Sequence, residues 1–195
     1  MLFSITKPSV ASIDRFRRAQ AGKPFSYPAV GATAGTPPPG YVVDRTRVKL
    51  GQGEADFRAA CDALQAWRQF DLGWVEAWPD EGSLEVGRVV AVLGRAVGLW
   101  WLNACRIVYV VRETEPVRRF GFAYGTLPAH AESGEERFLI EWDPATGEVW
   151  YDILAFSRPQ LLTTRLGYPL VRRAQRRFAR ESAARMQRAV AEARD

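Results

Sequence analysis

Apolar and polar residues alternate from Val42 to Leu50. Val42, Asp44, Thr46, Val48 and Leu50 fall on one side, and Val43, Arg45, Arg47 and Lys49 on the other. A period of two is that of a β-strand with one wet face. This parity turns Asp44 toward the core, where a carboxylate needs a partner or a shifted pKa. After Gly51-Gln52-Gly53 the period lengthens. Phe57, Ala60, Cys61, Leu64 and Trp67 recur at three- and four-residue steps, which predicts a helix over Glu54 to Gln69. Phe70, Leu72, Trp74 and Trp78 continue as a short helix or irregular turn ending at Pro79. From Ser83 the texture is that of strands. They are expected at 84–93, once or twice within 98–113, at 117–127, at 135–143 and at 148–156. Pro144 to Gly147 form the last hairpin turn. The short links between strands predict antiparallel pairing.

The chain closes on a second long period. Leu162, Leu166, Leu170, Val171, Ala174 and Phe178 share one helical face, and Arg172, Arg173, Arg176, Arg177 and Arg180 fall mostly on the other. Ser157 and Gln160 have capping-box spacing and Pro159 suits a first turn, so the helix is expected over 158–193. Such a helix needs an apolar surface to lie on. At the other end, residues 9–21 read as a short helix with Val10, Ile13 and Phe16 on one side. A turn-rich link with three consecutive prolines runs from Tyr27 to Tyr41.

This order, with no crossover helices between the later strands, predicts an α+β fold. One curved antiparallel sheet wraps a long C-terminal helix. We expect residues 1–41 to be an N-terminal helix and extended linker packed on a domain formed by 42–195.

Composition changes this picture little. The 195 residues suit one core rich in large rings, with seven Trp, ten Phe and six Tyr. The net charge of +5 is uneven: 158–195 hold ten Arg and three acids, leaving the rest slightly acidic. Exposed arginines on an amphipathic helix read first as its solvated face, which disfavours nucleic acid as a partner. Two cysteines, Cys61 and Cys105, make no disulfide framework. The apolar run 89–102 is too short to cross a bilayer, and no signal peptide opens the chain, so a cytoplasmic protein is expected.

Several stretches bear on chemistry. Phe120, Phe122, Tyr124 and Thr126 lie on one side of a strand, with Gly121, Ala123 and Gly125 on the other. A row of small residues either admits a closely packed element or leaves room for a ligand. Residues 127–136 hold the only histidine, His130, with Glu132, Glu135 and Glu136. His130 beside Glu132 or Glu135 reads as an acid–base pair or as a solvated hairpin loop. No ligand spacing suits zinc, and Leu50 to Asp56 lacks the third glycine of a dinucleotide-binding turn. Gly98-Leu-Trp-Trp-Leu102 reads as core or pocket lining.

The run Phe120 to Phe138 resembles the signature of an uncharacterised protein family of bacteria and plants. So do Tyr27 with Val30-Gly31-Ala32-Thr33, Pro39-Gly40-Tyr41, Phe70 with Gly73-Trp74, and Ala155-Phe-Ser-Arg-Pro159. The resemblance implies a helix-grip fold similar to START-like and birch-pollen-allergen-like proteins. Those relatives hold lipids, sterols or other apolar molecules between sheet and helix. The family has no established activity, so the resemblance implies neither catalytic residues nor a cofactor.

The expected function is binding of a small apolar or amphipathic molecule. Trp74, Tyr109, Phe122 and Tyr124 would line its cavity, with Phe138, Trp150 and Phe156. Asp44, Thr126, His130, Glu136 and Arg158 would orient its polar part. A one-residue slip in strand parity would exchange half of this set. The alternatives are an enzyme using His130 with a glutamate, and an interaction module using the arginine face.

Overall fold

The computed structural model describes residues 2–79, 84–160 and 168–194. Eight strands form one antiparallel sheet: β1 (Leu2–Ser4), β2 (Val42–Gln52), β3 (Val75–Trp78), β4 (Val89–Ala96), β5 (Leu99–Glu113), β6 (Arg118–Thr126), β7 (Glu132–Trp142) and β8 (Glu148–Pro159). Its order is β2-β8-β7-β6-β5-β4-β3, so the first long strand pairs with the last. β1 pairs with residues 100–102 of β5, beyond the point where β6 has ended. Among the described residues three α-helices accompany the sheet: α1 (Val10–Gln20), α2 (Gly53–Gln65) and α3 (Tyr168–Glu192).

The alternation in β2 has the parity its sequence predicts. Asp44, Thr46, Val48 and Leu50 are more enclosed than Val43, Arg45, Arg47 and Lys49. The inner sheet face packs against α2, α3 and the 3₁₀ turn Arg68–Phe70, with Leu64, Phe70, Phe122, Phe138, Tyr151 and Met186 in one core. Rings dominate it: Phe70, Phe122, Tyr124, Phe138 and Phe178 form an unbroken series of contacts with centroids 5.0–6.4 Å apart. On the outer face of β4 and β5 a second cluster joins Ile13 and Phe16 of α1 to Leu93, Leu102 and Leu127.

The end of β8 corrects the sequence reading. Ser157, Arg158 and Pro159 cap no helix; they continue β8, opposite Gly134, Ser133 and Glu132 of β7. Strand pairing on both sides outcompetes the local capping signal, which one turn of helix could not match. Residues 161–167, and with them Leu162 and Leu166, lie outside the described residues. The inner face of α3 also runs further toward its C-terminus than the apolar stripe suggests. Ser182, Ala183, Met186 and Val190 are buried, whereas Leu170 is 55% exposed. α2 ends four residues early, because Trp67 adopts a left-handed φ of 58° that no helix continues. Trp100 and Trp101 are neither fully buried nor part of the cleft described next. Trp100 flanks the α1 cluster and Trp101 stacks edge-on with Phe3.

Candidate functional site

Between the inner sheet face and α3 lies a cleft of about 720 Å³. Strand register builds its floor. One row of inward positions crosses four strands: Asp44 of β2, Ala155 of β8, Glu136 of β7 and Tyr124 of β6. The next row holds Ser157 and Gly134, with Thr126 bonded to Gly134 through both its backbone N–H and its carbonyl. Ala155 carries almost no side chain, which leaves space above the middle of the floor, whereas Gly134 admits the β8 backbone, since a Cβ there would stand 1.9 Å from Phe156 O. The roof repeats the device: Ala174, Ala179, Ala183 and Ala184 of α3 line the cleft, interrupted by Phe178. Trp74, Val75 and Val92 complete its apolar side. Trp74 is tied to α3 through Nε1 donating to Glu181 Oε2 at 2.6 Å, with the Arg177 guanidinium 4.4 Å from the ring centre.

One end of the cleft is polar. Arg172 of α3 donates through both terminal nitrogens to the two oxygens of Asp44, at 2.5 and 2.6 Å, and to Gln175 Oε1 at 2.6 Å. Gln175 Nε2 in turn donates to Glu132 Oε2 at 2.5 Å and to Ser157 Oγ at 3.0 Å. The Tyr124 hydroxyl donates to Glu136 Oε2 at 2.7 Å. Burial, reinforced by the nearby Glu132 and Asp44 charges, holds the Glu136 carboxyl up at about 7. Burial likewise raises Glu132, against the bonds from Gln175 and Ser157.

His130 lines the cleft without a carboxylate partner. Its Nδ1 lies 3.0 Å from the backbone N and 3.1 Å from the carbonyl oxygen of Glu132, and burial lowers its pKa to about 4. Glu135, the other acid expected beside it, stands on the opposite face of the sheet. The acid–base pairing of His130 with a glutamate side chain thus has no geometry behind it. Among the described residues no group of His, Cys, Asp or Glu is placed to hold a metal ion.

The expected lining residues divide by strand face. Asp44, Trp74, Tyr124, Thr126, His130 and Glu136 border the cleft. Phe122 and Phe138 point inward but lie fully buried beneath it, in the ring cluster. Phe156 touches the cleft wall, yet its ring packs edge-on against Tyr27 and Tyr41 on the outer face. Tyr109, Trp150 and Arg158 belong to that outer face altogether. Trp150 lies under Arg47, and Arg158 covers the ring of Tyr41 at 4.6 Å. Tyr109 is turned outward by a bulge: Ile107 pairs with Tyr124 but Tyr109 pairs with Ala123, so Val108 is an extra residue that reverses the parity. Gln175, Ser157 and the alanines of α3 were not among the expected residues. The alanine spacing on the sheet-facing side of the helix was the available signal.

The segment after α1 crosses the outer face, and the row of small residues receives it. A Cβ on Gly125 would stand 2.1 Å from the Tyr27 hydroxyl, so this row serves close packing. Glu135, 3% exposed, anchors the segment. Its carboxylate accepts from the Tyr27 hydroxyl at 2.6 Å, Gly31 N at 2.7 Å, Thr33 N at 2.9 Å and Thr33 Oγ1 at 2.5 Å. Gly31 has φ of 88°, a conformation that favours glycine. Thr33 Oγ1 also meets the Tyr109 hydroxyl at 2.7 Å, and Arg137 bridges Thr33 O to Asp152.

Comparison with known proteins agrees with this architecture. The chain is 34% identical over 207 aligned positions to a UPF0548 protein of Dictyostelium discoideum, covering 97% of this chain and 96% of that one. It is 38% identical over 201 positions to a UPF0548 protein of Deinococcus radiodurans, covering 97% and 99%. Among solved structures, human STARD10 superposes with a TM-score of 0.52 at 11% identity, covering 96% of this chain and 81% of that one, a likeness of fold alone. The sheet curled on a C-terminal helix is the arrangement this chain shares with that structure. The profile of a domain of unknown function, DUF1990, matches residues 26–185, and the chain belongs to that family.

Proposed function

We propose that this protein binds a small apolar or amphipathic molecule between its sheet and α3. The observation that carries the reading is the cleft of about 720 Å³, within the size range of small-molecule sites. Its walls are mostly apolar, and its inward carboxylates group with Gln175 and Ser157 near Arg172. The floor and roof are opened by small residues on both sides, Ala155 below and four alanines above. A fold that needed only a packed core would fill that space.

Native mass spectrometry of protein purified from its own host tests this. The expected result is a retained adduct of small-molecule mass. Ala155→Phe, which fills the cleft from its floor, should abolish the adduct while leaving circular dichroism unchanged. An adduct that survives this substitution would place the ligand elsewhere, and the absence of any adduct from host-purified protein would count against the reading.

A further inference from the structure

Among the described residues, the cleft holds more negative charge than its basic side chains neutralise. Three carboxylates face the polar end: Asp44 from β2, and Glu132 and Glu136 from β7. Among the described residues one guanidinium, Arg172 of α3, answers them, and it is engaged with Asp44 and Gln175. Among the described residues Glu132 has only neutral donors, Gln175 and Ser157, and Glu136 has only the Tyr124 hydroxyl. The other charged residues bordering the cleft do not redress this. Arg45 turns its guanidinium to Asp152 on the outer face, and Arg176 and Arg180 are exposed on α3. His130 is neutral near pH 7. A buried carboxylate is tolerated only when a proton or a cation neutralises it.

We infer that the ligand's polar end is a cationic amine, an ammonium group seated against Glu136 and Glu132, with its apolar part running between Ile153 and Phe178. This rests on the reading of the cleft as a binding site. In the unliganded protein a proton serves instead, since burial holds the Glu136 carboxyl up at about 7. An ammonium ion substitutes for that proton and supplies several N–H donors to acceptor oxygens. A carboxylate ligand would add a fourth negative charge to the same end, and a neutral alcohol would leave the excess as it is.

Titration calorimetry of the full chain with decylamine, decanol and decanoate at about pH 8 separates these cases. Decylamine is expected to bind at least about tenfold more tightly than decanol, with decanoate weakest. Glu136→Gln should cost decylamine about tenfold and leave decanol within about twofold, which also shows that the variant is folded. Lowering the pH from about 8 to about 6 should weaken decylamine, because protons then compete for Glu136. Decanoate binding as tightly as decylamine, or an amine-to-alcohol ratio unchanged in Glu136→Gln, would overturn the inference and leave the cleft reading standing. If none of the three binds, the cleft reading fails and this inference falls with it.

Discussion

Glu135 and Glu136 are neighbours in the chain and stand on opposite sides of the sheet. The alternation of a strand forces this, and it was legible from the sequence. Their surroundings were not, because they come from elements far away in the chain. Glu135 meets the segment that follows α1, and Glu136 meets Tyr124 below α3. Each glutamate thus has one job. Glu135 gathers four donors, from Tyr27, Gly31 and Thr33, on one buried carboxylate. Glu135→Ala is therefore expected to lower stability by about 3 kcal/mol or more, read from urea unfolding. The same variant should lose hydrogen-exchange protection at residues 27–33 before the rest of the sheet does. Unchanged protection there would mean that packing of the Tyr27 ring, rather than the carboxylate, holds the segment. Several residues behind the family resemblance, Tyr27, Gly31, Thr33 and Glu135, converge on this anchor and not on the cleft. The motif that marks the family therefore spans both the strap and the cleft, since Phe70, Trp74, Tyr124, Thr126, His130, Glu136 and Ala155 belong to it as well.

At the scale of elements, long strands and the C-terminal helix were readable because each carries a sustained period. What failed was local. β1 and β3 have three and four residues, too few to show alternation. The bulge at Val108 is invisible to any count of period two, and it moved Tyr109 from the cleft to the outer face. The start of α3 was misread because a capping pattern at Ser157 looked self-sufficient, while strand pairing on both sides of that residue was not visible in one dimension. The stripe of α3 that docks is consequently not the most apolar one. Met186 is fully buried in the main core and Leu170 is largely exposed. Met186→Ala should cost about 2–4 kcal/mol, whereas Leu170→Ala should stay within about 0.5 kcal/mol. Thermal or urea unfolding of the two variants checks this. Comparable losses at both positions would mean that α3 docks on a different face.

Considered whole, the molecule is a sheet held from both sides. The strap fixes the outer face through a satisfied polar anchor, and α3 covers the inner face while leaving a cleft with an unbalanced acidic end. That imbalance must appear in the pH dependence of folding. A carboxyl raised in the folded state binds its proton more firmly there than in the unfolded chain. Its contribution is complete below the ordinary value of 4.5 and is lost as the pH rises through about 7. Glu132, also raised, acts in the same sense. His130 acts oppositely: lowered from 6.5 to about 4, it favours the unfolded state increasingly as the pH falls across that interval. The two slopes oppose each other between about pH 4.5 and 6.5, and above that only the carboxyl slope remains. Stability of the unliganded protein should therefore fall between about pH 6.5 and 8. Glu136→Gln keeps the shape of the side chain and removes the charge. It should flatten that fall and raise stability at about pH 8 by about 1–3 kcal/mol, with little change at about pH 5. Urea midpoints measured across this range decide the matter. A variant no more stable than the parent at pH 8 would mean that solvent already screens Glu136, and the cleft would then have no excess charge for a ligand to neutralise.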